Sequence, residues 1–335
     1  MATAVTLEDY HKFIAGRGWI ELANWTVLRM GGPDRVRFLH GLCTNDIRRL
    51  QPGQGCEAFI TSAQGKILGH VIVLADEHSL WLVGTPGQAR QLLEHFTKYQ
   101  IREELEFEDR SGSWALVLVG GAAADGPLLP GGWALPPAEA YSHCREPRLE
   151  NAARWIRWVA CRWLALLMVP RASHDQWSAI AEKEGIQALS SALWEPLRIE
   201  LGWPVYGHDI RAENFPQEIG RDQLAISFTK GCYLGQETVA RIDALGHVNR
   251  MLRGLAWPDG VECRPDSVYH YQGKIAAYVT SAAYSPHLQG WAVMGFVRRG
   301  FEKPGSTVPL DGGASAVVRQ FPLGYLWQDQ TDGSA

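Results

Sequence analysis

The chain has 335 residues, of which 46% are hydrophobic and 20% charged, and its formal net charge is -4. Such a length fits two or three packed units, and the acidic balance excludes a general attraction to phosphate, so any nucleic-acid contact has to come from a local patch. The six cysteines, Cys43, Cys56, Cys144, Cys161, Cys232 and Cys263, make no C-x-x-C pair and no Cys/His ligand spacing, which argues against a disulfide framework and against a metal site.

Thr6 with Asp9 three residues on reads as a capping box, and Tyr10, Phe13 and Ile14 follow at helical spacing until Gly16 and Gly18. Glu8 and Asp9 interrupt any apolar leader, so no signal peptide or mitochondrial presequence is expected. The most apolar run, 163–169, is too short to span a bilayer. A cytoplasmic, membrane-free protein is the expectation.

Residues 25–30 alternate like a strand, Gly31-Gly32 turns, and Pro33 opens a helix carrying Val36, Leu39 and Leu42. Residues 56–61, 67–75 and 79–83 read as an antiparallel meander. Thr85-Pro86 then starts a helix with the stripe Leu92, Phe96 and Tyr99. Residues 114–119 form a strand, and the Gly/Ala/Pro-rich stretch 120–137 reads as loop.

A continuous apolar strand is predicted over 162–169. Ser173 with Gln176 starts a helix bearing Trp177 and Ile180, closed by Gly185. A second helix covers 193–201, with Pro196 in its first turn or kinking it, and ends at Gly202 and Pro204. Residues 236–245 have helical composition, with Gly246 as the stop. Beyond Arg250 the pattern turns to short strands without a helix, marking a C-terminal β-barrel or sandwich.

Two segments carry chemical signals. In 145–163, Arg145, Arg148, Arg154, Arg157 and Arg162 interleave with Trp155, Trp158 and Trp163, the residue types that grip single-stranded RNA. Glu146 and Glu150 dilute the charge, and the same alternation suits a half-buried strand, which is the reading adopted. The second segment is Lys230-Gly231-Cys232-Tyr233-Leu234-Gly235-Gln236-Glu237. It places Cys232 in a glycine-flexed turn beside Lys230 and just before a helix, where unpaired N–H groups and an ammonium favour a thiolate. The bland alternative is a cysteine filling space in a tight turn.

That octamer, extended by Val239-Ala240-Arg241, resembles the signature of the YgfZ/T-protein (GcvT-like) folate-binding family, in its YgfZ-type iron–sulfur cluster assembly branch. Asp34-Arg35 and Phe38-Leu39, Arg198-Ile199-Glu200-Leu201-Gly202, Gly207-His208-Asp209-Ile210, Thr280-Ser281 and Gly290 agree in order and spacing. The resemblance implies an α+β fold, a GcvT-like ring of small domains around a central folate channel. Residues 1–250 would form the folate-binding region, as two interleaved subdomains, and 251–335 the C-terminal β-barrel.

It further implies that Trp25 and Trp194 contact a tetrahydrofolate. Glu200 would accept the pterin N–H donors, and Tyr233, Gln236 and Glu237 complete the expected cofactor-binding set. Core packing for Trp25 and a solvated helix charge for Glu200 are the competing readings. Cys232 and Lys230 are the expected functional pair.

The related T-proteins hold a catalytic carboxylate in an Asp-Asp pair after a glycine turn. Here that stretch is Gly65-Lys66-Ile67-Leu68-Gly69-His70, and 66–75 contain no carboxylate. His70 reads as a structural histidine. Aminomethyl transfer therefore lacks its proton carrier. The expectation is a tetrahydrofolate-binding accessory factor for iron–sulfur cluster assembly or repair, with iron–sulfur proteins or assembly machinery as partners and tRNA modification supported indirectly. A folate-dependent one-carbon transferase or demethylase and an RNA-binding module are the alternatives.

Overall fold

The computed structural model describes residues 5–121, 136–137, 139–149, 153–158 and 164–323. Arg162, Trp163, Glu150 and Cys161 lie outside the described residues. Three sheets and seven α-helices among the described residues make a mixed α+β architecture.

The predicted meander is present as Gly55–Thr61, Ile67–Ala75 and Ser79–Gly84, and Thr26–Gly31 and Glu106–Asp109 extend it into a five-stranded antiparallel sheet. A six-stranded sheet lies against it, built from Gln187–Ala188, Gly18–Leu22, Trp114–Val119, Ala165–Pro170, Arg154–Arg157 and His143–Arg145 in that spatial order. Strand alternation explains how both sheets bury two faces. Ile72 and Leu74 face the interior between the sheets, together with Ile20, Leu22, Leu116 and Leu118. Their neighbours Val71 and Val73 face the helices Arg35–His40 and Ala89–Tyr99. The third sheet comprises Val268–Tyr271, Lys274–Ser285, Gly290–Arg298, Arg250–Ala256, Ser315–Arg319 and Thr307–Pro309. It forms the nearly closed barrel expected after Arg250.

Local signals acted as read in several places. Thr6 and Asp9 form a complete capping box on the helix Leu7–Ile14. Gly185, Gly202 and Gly246 take positive φ beyond their helices, where only a residue without Cβ is unstrained. Others differ. The helix His174–Lys183 follows a 3-10 turn, Arg171–Ser173, and Ser173 makes no side-chain cap bond to it. The helix after Thr85-Pro86 begins only at Ala89, because Gln88 turns its side chain back to the His70 and Thr85 backbones.

The described part of the Arg/Trp segment is half-buried, with Arg145 and Arg148 exposed and Arg154, Trp155 and Trp158 buried. Arg154 is buried against Asp76 at 3.2 Å, and Trp155 donates to Glu146 Oε2 at 3.0 Å with no exposed surface. No helix among the described residues is long and apolar enough to cross a membrane. Nor do three His, Cys, Asp or Glu side chains among them gather as metal ligands would.

The helix Trp194–Leu201 is the hub, with Pro196 to Leu201 all buried, including Arg198 and Glu200. Leu193, Leu197 and Leu201 enter the core between the two sheets, while Ile199 packs with Leu252 and Met294 of the barrel. Arg198 donates to Asp209 Oδ2 at 2.8 Å and to Ser281 Oγ at 2.8 Å. Asp209 Oδ1 accepts from Thr280 at 2.5 Å and Ser281 at 2.6 Å. Arg198 and Asp209, 11 positions apart, thus meet Thr280 and Ser281, at least 71 positions further on, in one fully buried network joining the hub to the barrel.

Candidate functional site

The segment 230–237 is fastened on both sides. Leu234 N–H donates to Gly41 O at 2.9 Å, and Thr61 Oγ1 donates to Leu234 O at 2.7 Å. Gly235 takes φ +84°, and a Cβ there would fall 2.4 Å from Ser62 O and 2.7 Å from Gly65 Cα. Two glycines therefore cross at a separation that no side chain allows.

Lys230 is not beside the thiol as sequence adjacency suggested. Its buried Nζ donates to His40 O at 2.7 Å, Cys43 O at 2.7 Å and Asn45 O at 2.9 Å, closing the C-terminal end of the helix Arg35–His40 where carbonyls lack partners. Burial pushes its pKa down from the ordinary lysine value. Cys232 is exposed, and no hydrogen bond among the described residues joins it to Lys230. Tyr233 is buried under the Lys230 ammonium, 4.8 Å from its ring centre. Gln236 Oε1 accepts from Tyr233 N at 3.3 Å. Glu237 stands exposed in the first turn of the helix Gln236–Leu245, favourable to the helix dipole.

The other expected residues occupy a second framework. Trp25 and Trp194 meet edge to face at 5.8 Å and 64°. Trp158 lies 5.8 Å from Trp25 and 6.0 Å from Trp194, and Trp203 stacks on Trp25 at 6.4 Å. Trp25 is 3% exposed, whereas Trp194 remains only half-buried and keeps indole surface for a flat partner.

Glu200 is a buried carboxylate, not a solvated one. Oε1 accepts from the Tyr10 hydroxyl at 2.6 Å, and Oε2 lies 3.1 Å from His287 Nδ1. Burial, then the Glu200 charge, push the Tyr10 pKa far above its ordinary value, so the phenol stays a donor.

Beside this cluster sits a network that the sequence reading missed. Glu57, fully buried, lies 2.7 Å from His70 Nε2 and accepts from Tyr141 at 2.5 Å and Arg221 Nη2 at 2.7 Å. Burial alone would raise its pKa, but the Arg221 charge and the hydrogen bonds of Arg221 and His70 hold it well below the carboxylate range. The absence of a carboxylate within 66–75 is thus offset in space by one from the paired strand. The legible signal was a lone glutamate in the apolar run 56–61; Arg221, 164 positions away, left none.

His70 packs 5.1 Å from Phe59 and 4.9 Å from Trp203, and Trp203 packs 4.6 Å from Trp158. Around these rings three buried polar atoms, His70 Nδ1, Trp158 Nε1 and Trp203 Nε1, have no hydrogen-bond partner among the described residues. Native interiors rarely leave such groups unpaired.

Residues 2–129 match the model of the GCVT N-terminal domain, and residues 250–319 that of the glycine cleavage T-protein C-terminal barrel domain. An aminomethyltransferase of Synechocystis sp. is 25% identical over 319 residues, covering 91% of this chain and 84% of the relative. The tRNA-modifying protein YgfZ of Hamiltonella defensa is 29% identical over 251 residues, covering 74% and 71%. The crystal structure of the glycine cleavage aminomethyltransferase T from Bartonella henselae superposes with a TM-score of 0.79 at 20% identity, over 94% of this chain and 88% of that one. With both domain models matched in order, together over more than half of its length, the chain belongs to the GcvT-like family.

Proposed function

We propose that the chain binds a tetrahydrofolate-type cofactor at the tryptophan cluster and serves as an accessory factor in iron–sulfur cluster assembly or repair, supporting tRNA modification indirectly. The observation that carries the cofactor is the set of polar atoms without a partner among the described residues, His70 Nδ1, Trp158 Nε1 and Trp203 Nε1, gathered around closely packed indoles. A pterin is flat and edged with hydrogen-bonding groups, so it suits both features. Trp194 would stack on it, the two indole N–H groups would donate to its edge, and the carboxylate of Glu200, held by Tyr10 and His287, would accept a pterin N–H. When bound, the cofactor supplies one-carbon chemistry. The YgfZ relative, named as a tRNA-modifying protein, is in keeping with this role, and the aminomethyltransferase relatives belong to the same wider family.

The Glu57–His70 contact favours a second reading, aminomethyl transfer, as in the transferase relatives. Against it, Glu57 is held ionised by Arg221 and is fully enclosed, which makes it a poor proton donor at neutral pH. Titration with tetrahydrofolate, followed by assay for methylene transfer, separates the readings. Wild type is expected to bind without transferring. Trp194→Ala is expected to bind with a loss on the order of 1 kcal/mol beyond its lost contact area. Unchanged affinity in a folded Trp194→Ala variant removes the cluster from the site, and robust transfer establishes the second reading.

For the accessory role the test is Cys232→Ser in cells lacking the protein. Exposure, rather than a neighbouring ammonium, makes this thiol the accessible one among the five described cysteines: Cys43 and Cys263 are buried, and Cys56 and Cys144 half-buried. The serine variant is expected to fold and to leave iron–sulfur enzyme activity unrestored. Full restoration would assign the motif a structural role, in line with the Gly65–Gly235 crossing.

A further inference from the structure

A cleft of about 560 Å³ lies between the barrel and the strand start at Lys66, lined among others by Lys66, Arg211, Arg250 and Arg298. A second hollow of about 460 Å³ shares Arg298 and Asn249 with it and adds Lys274 and Arg299. Together they form one trough with six cations, against the carboxylates Glu213 and Glu218, on a chain whose net charge is -4. A concave wall of one charge sign focuses field and concentrates counter-ions.

Four of the cations lie over aromatic rings, Arg298 over Phe301 at 5.5 Å among them. Arg250 lies 4.9 Å over the Phe296 ring and Arg211 5.1 Å over Tyr278. Lys66 Nζ lies 3.2 Å from the centre of Phe215 and donates to Glu213 O at 2.6 Å. Arg250 reaches Glu218 only at 3.3 and 3.5 Å, and Arg211 pairs with Asp266 at 3.0 Å. Among the described residues, Arg298, Arg299 and Lys274 pair with no carboxylate. Since the faces of Phe215, Tyr278 and Phe296 already carry cations, the trough is built for charge rather than for stacking a base.

We propose that this trough binds an extended oligoanion, a molecule with two or more phosphate or carboxylate groups that the guanidinium forks clasp in pairs. The site shares no lining residue with the tryptophan cluster and does not rest on the folate reading.

The test is calorimetric titration of the full chain at about 20 mM salt, a concentration that leaves charges unscreened over the trough, with two probes. Inorganic tripolyphosphate represents a phosphate source and a tetraglutamate peptide a carboxylate source; the tighter of the two identifies the ligand's chemistry. Arg298→Glu is expected to weaken the tighter probe by about tenfold or more, and Arg298→Gln, which guards against disturbance of the barrel by charge reversal, by about three- to fivefold. Lys183→Glu, the same charge change on an exposed helix end, is expected to shift affinity less than about twofold. Failure of both probes to bind, wild-type affinity in Arg298→Glu, or an equal loss in Lys183→Glu overturns the proposal.

Discussion

Asp209→Ala is expected to lower the unfolding free energy by about 3 to 5 kcal/mol, the range for removing one partner of a buried ion pair. Asp209 and Arg198 are buried to within 1% of full enclosure; the guanidinium keeps Glu195 at 2.5 and 2.8 Å but loses its fully buried partner where water cannot replace it. The hydroxyls of Thr280 and Ser281 lose their acceptor at the same time. Because this network joins the hub helix to the barrel strand Lys274–Ser285, the barrel should loosen first. Urea denaturation followed by tryptophan emission and by amide exchange of the barrel strands measures both effects. A loss below about 1 kcal/mol would show the network to be dispensable.

The second large effect is expected at Glu57. Its pKa is depressed in the folded chain, so its stabilisation is complete above the unfolded value and is lost as pH falls toward the folded one. Wild type should therefore lose stability steadily below about pH 4.3, the ordinary glutamate pKa. Glu57→Gln removes the titrating group: at pH 7 it should be less stable by about 3 kcal/mol or more, with Arg221 left buried beside a neutral amide. The gap between the two proteins should narrow as the pH drops. Thermal melts from pH 3 to 8 check this, and a gap that does not change with pH would place the Glu57 pKa near its ordinary value.

Local chemistry was legible in the sequence, and non-local chemistry was not. The capping box at Thr6, the meander and the strand-rich barrel follow from spacings within a few residues, and each is present. The strand Gly18–Leu22 was hidden because Gly16 and Gly18 read as a helix stop, yet Gly18 sits in the strand close to Leu189, where a Cβ would meet that side chain at 2.3 Å. The octamer 230–237 stood out, but the direction of Lys230 was set by carbonyls 185 to 190 positions away. Glu200 stood out only through the resemblance, and its enclosure by Tyr10 and His287 depends on residues 190 and 87 positions away. Pattern locates such residues; only the fold says what they touch.

The sheet order also constrains the timing of synthesis. All five strands of the sheet from Thr26–Gly31 to Glu106–Asp109 lie within one continuous stretch, so it is complete once the ribosome has delivered residue 109. The strand Gly18–Leu22 emerges earlier but has no antiparallel partner until Trp114–Val119 follows, and Tyr10 waits for Glu200, 190 residues downstream. The segment from Tyr10 to Leu22 therefore leaves the ribosome before the five-stranded sheet is complete, yet is among the last to be locked in place. Until then its apolar faces, Tyr10, Phe13, Ile20 and Leu22, stay uncovered in the window where nascent chains meet chaperones.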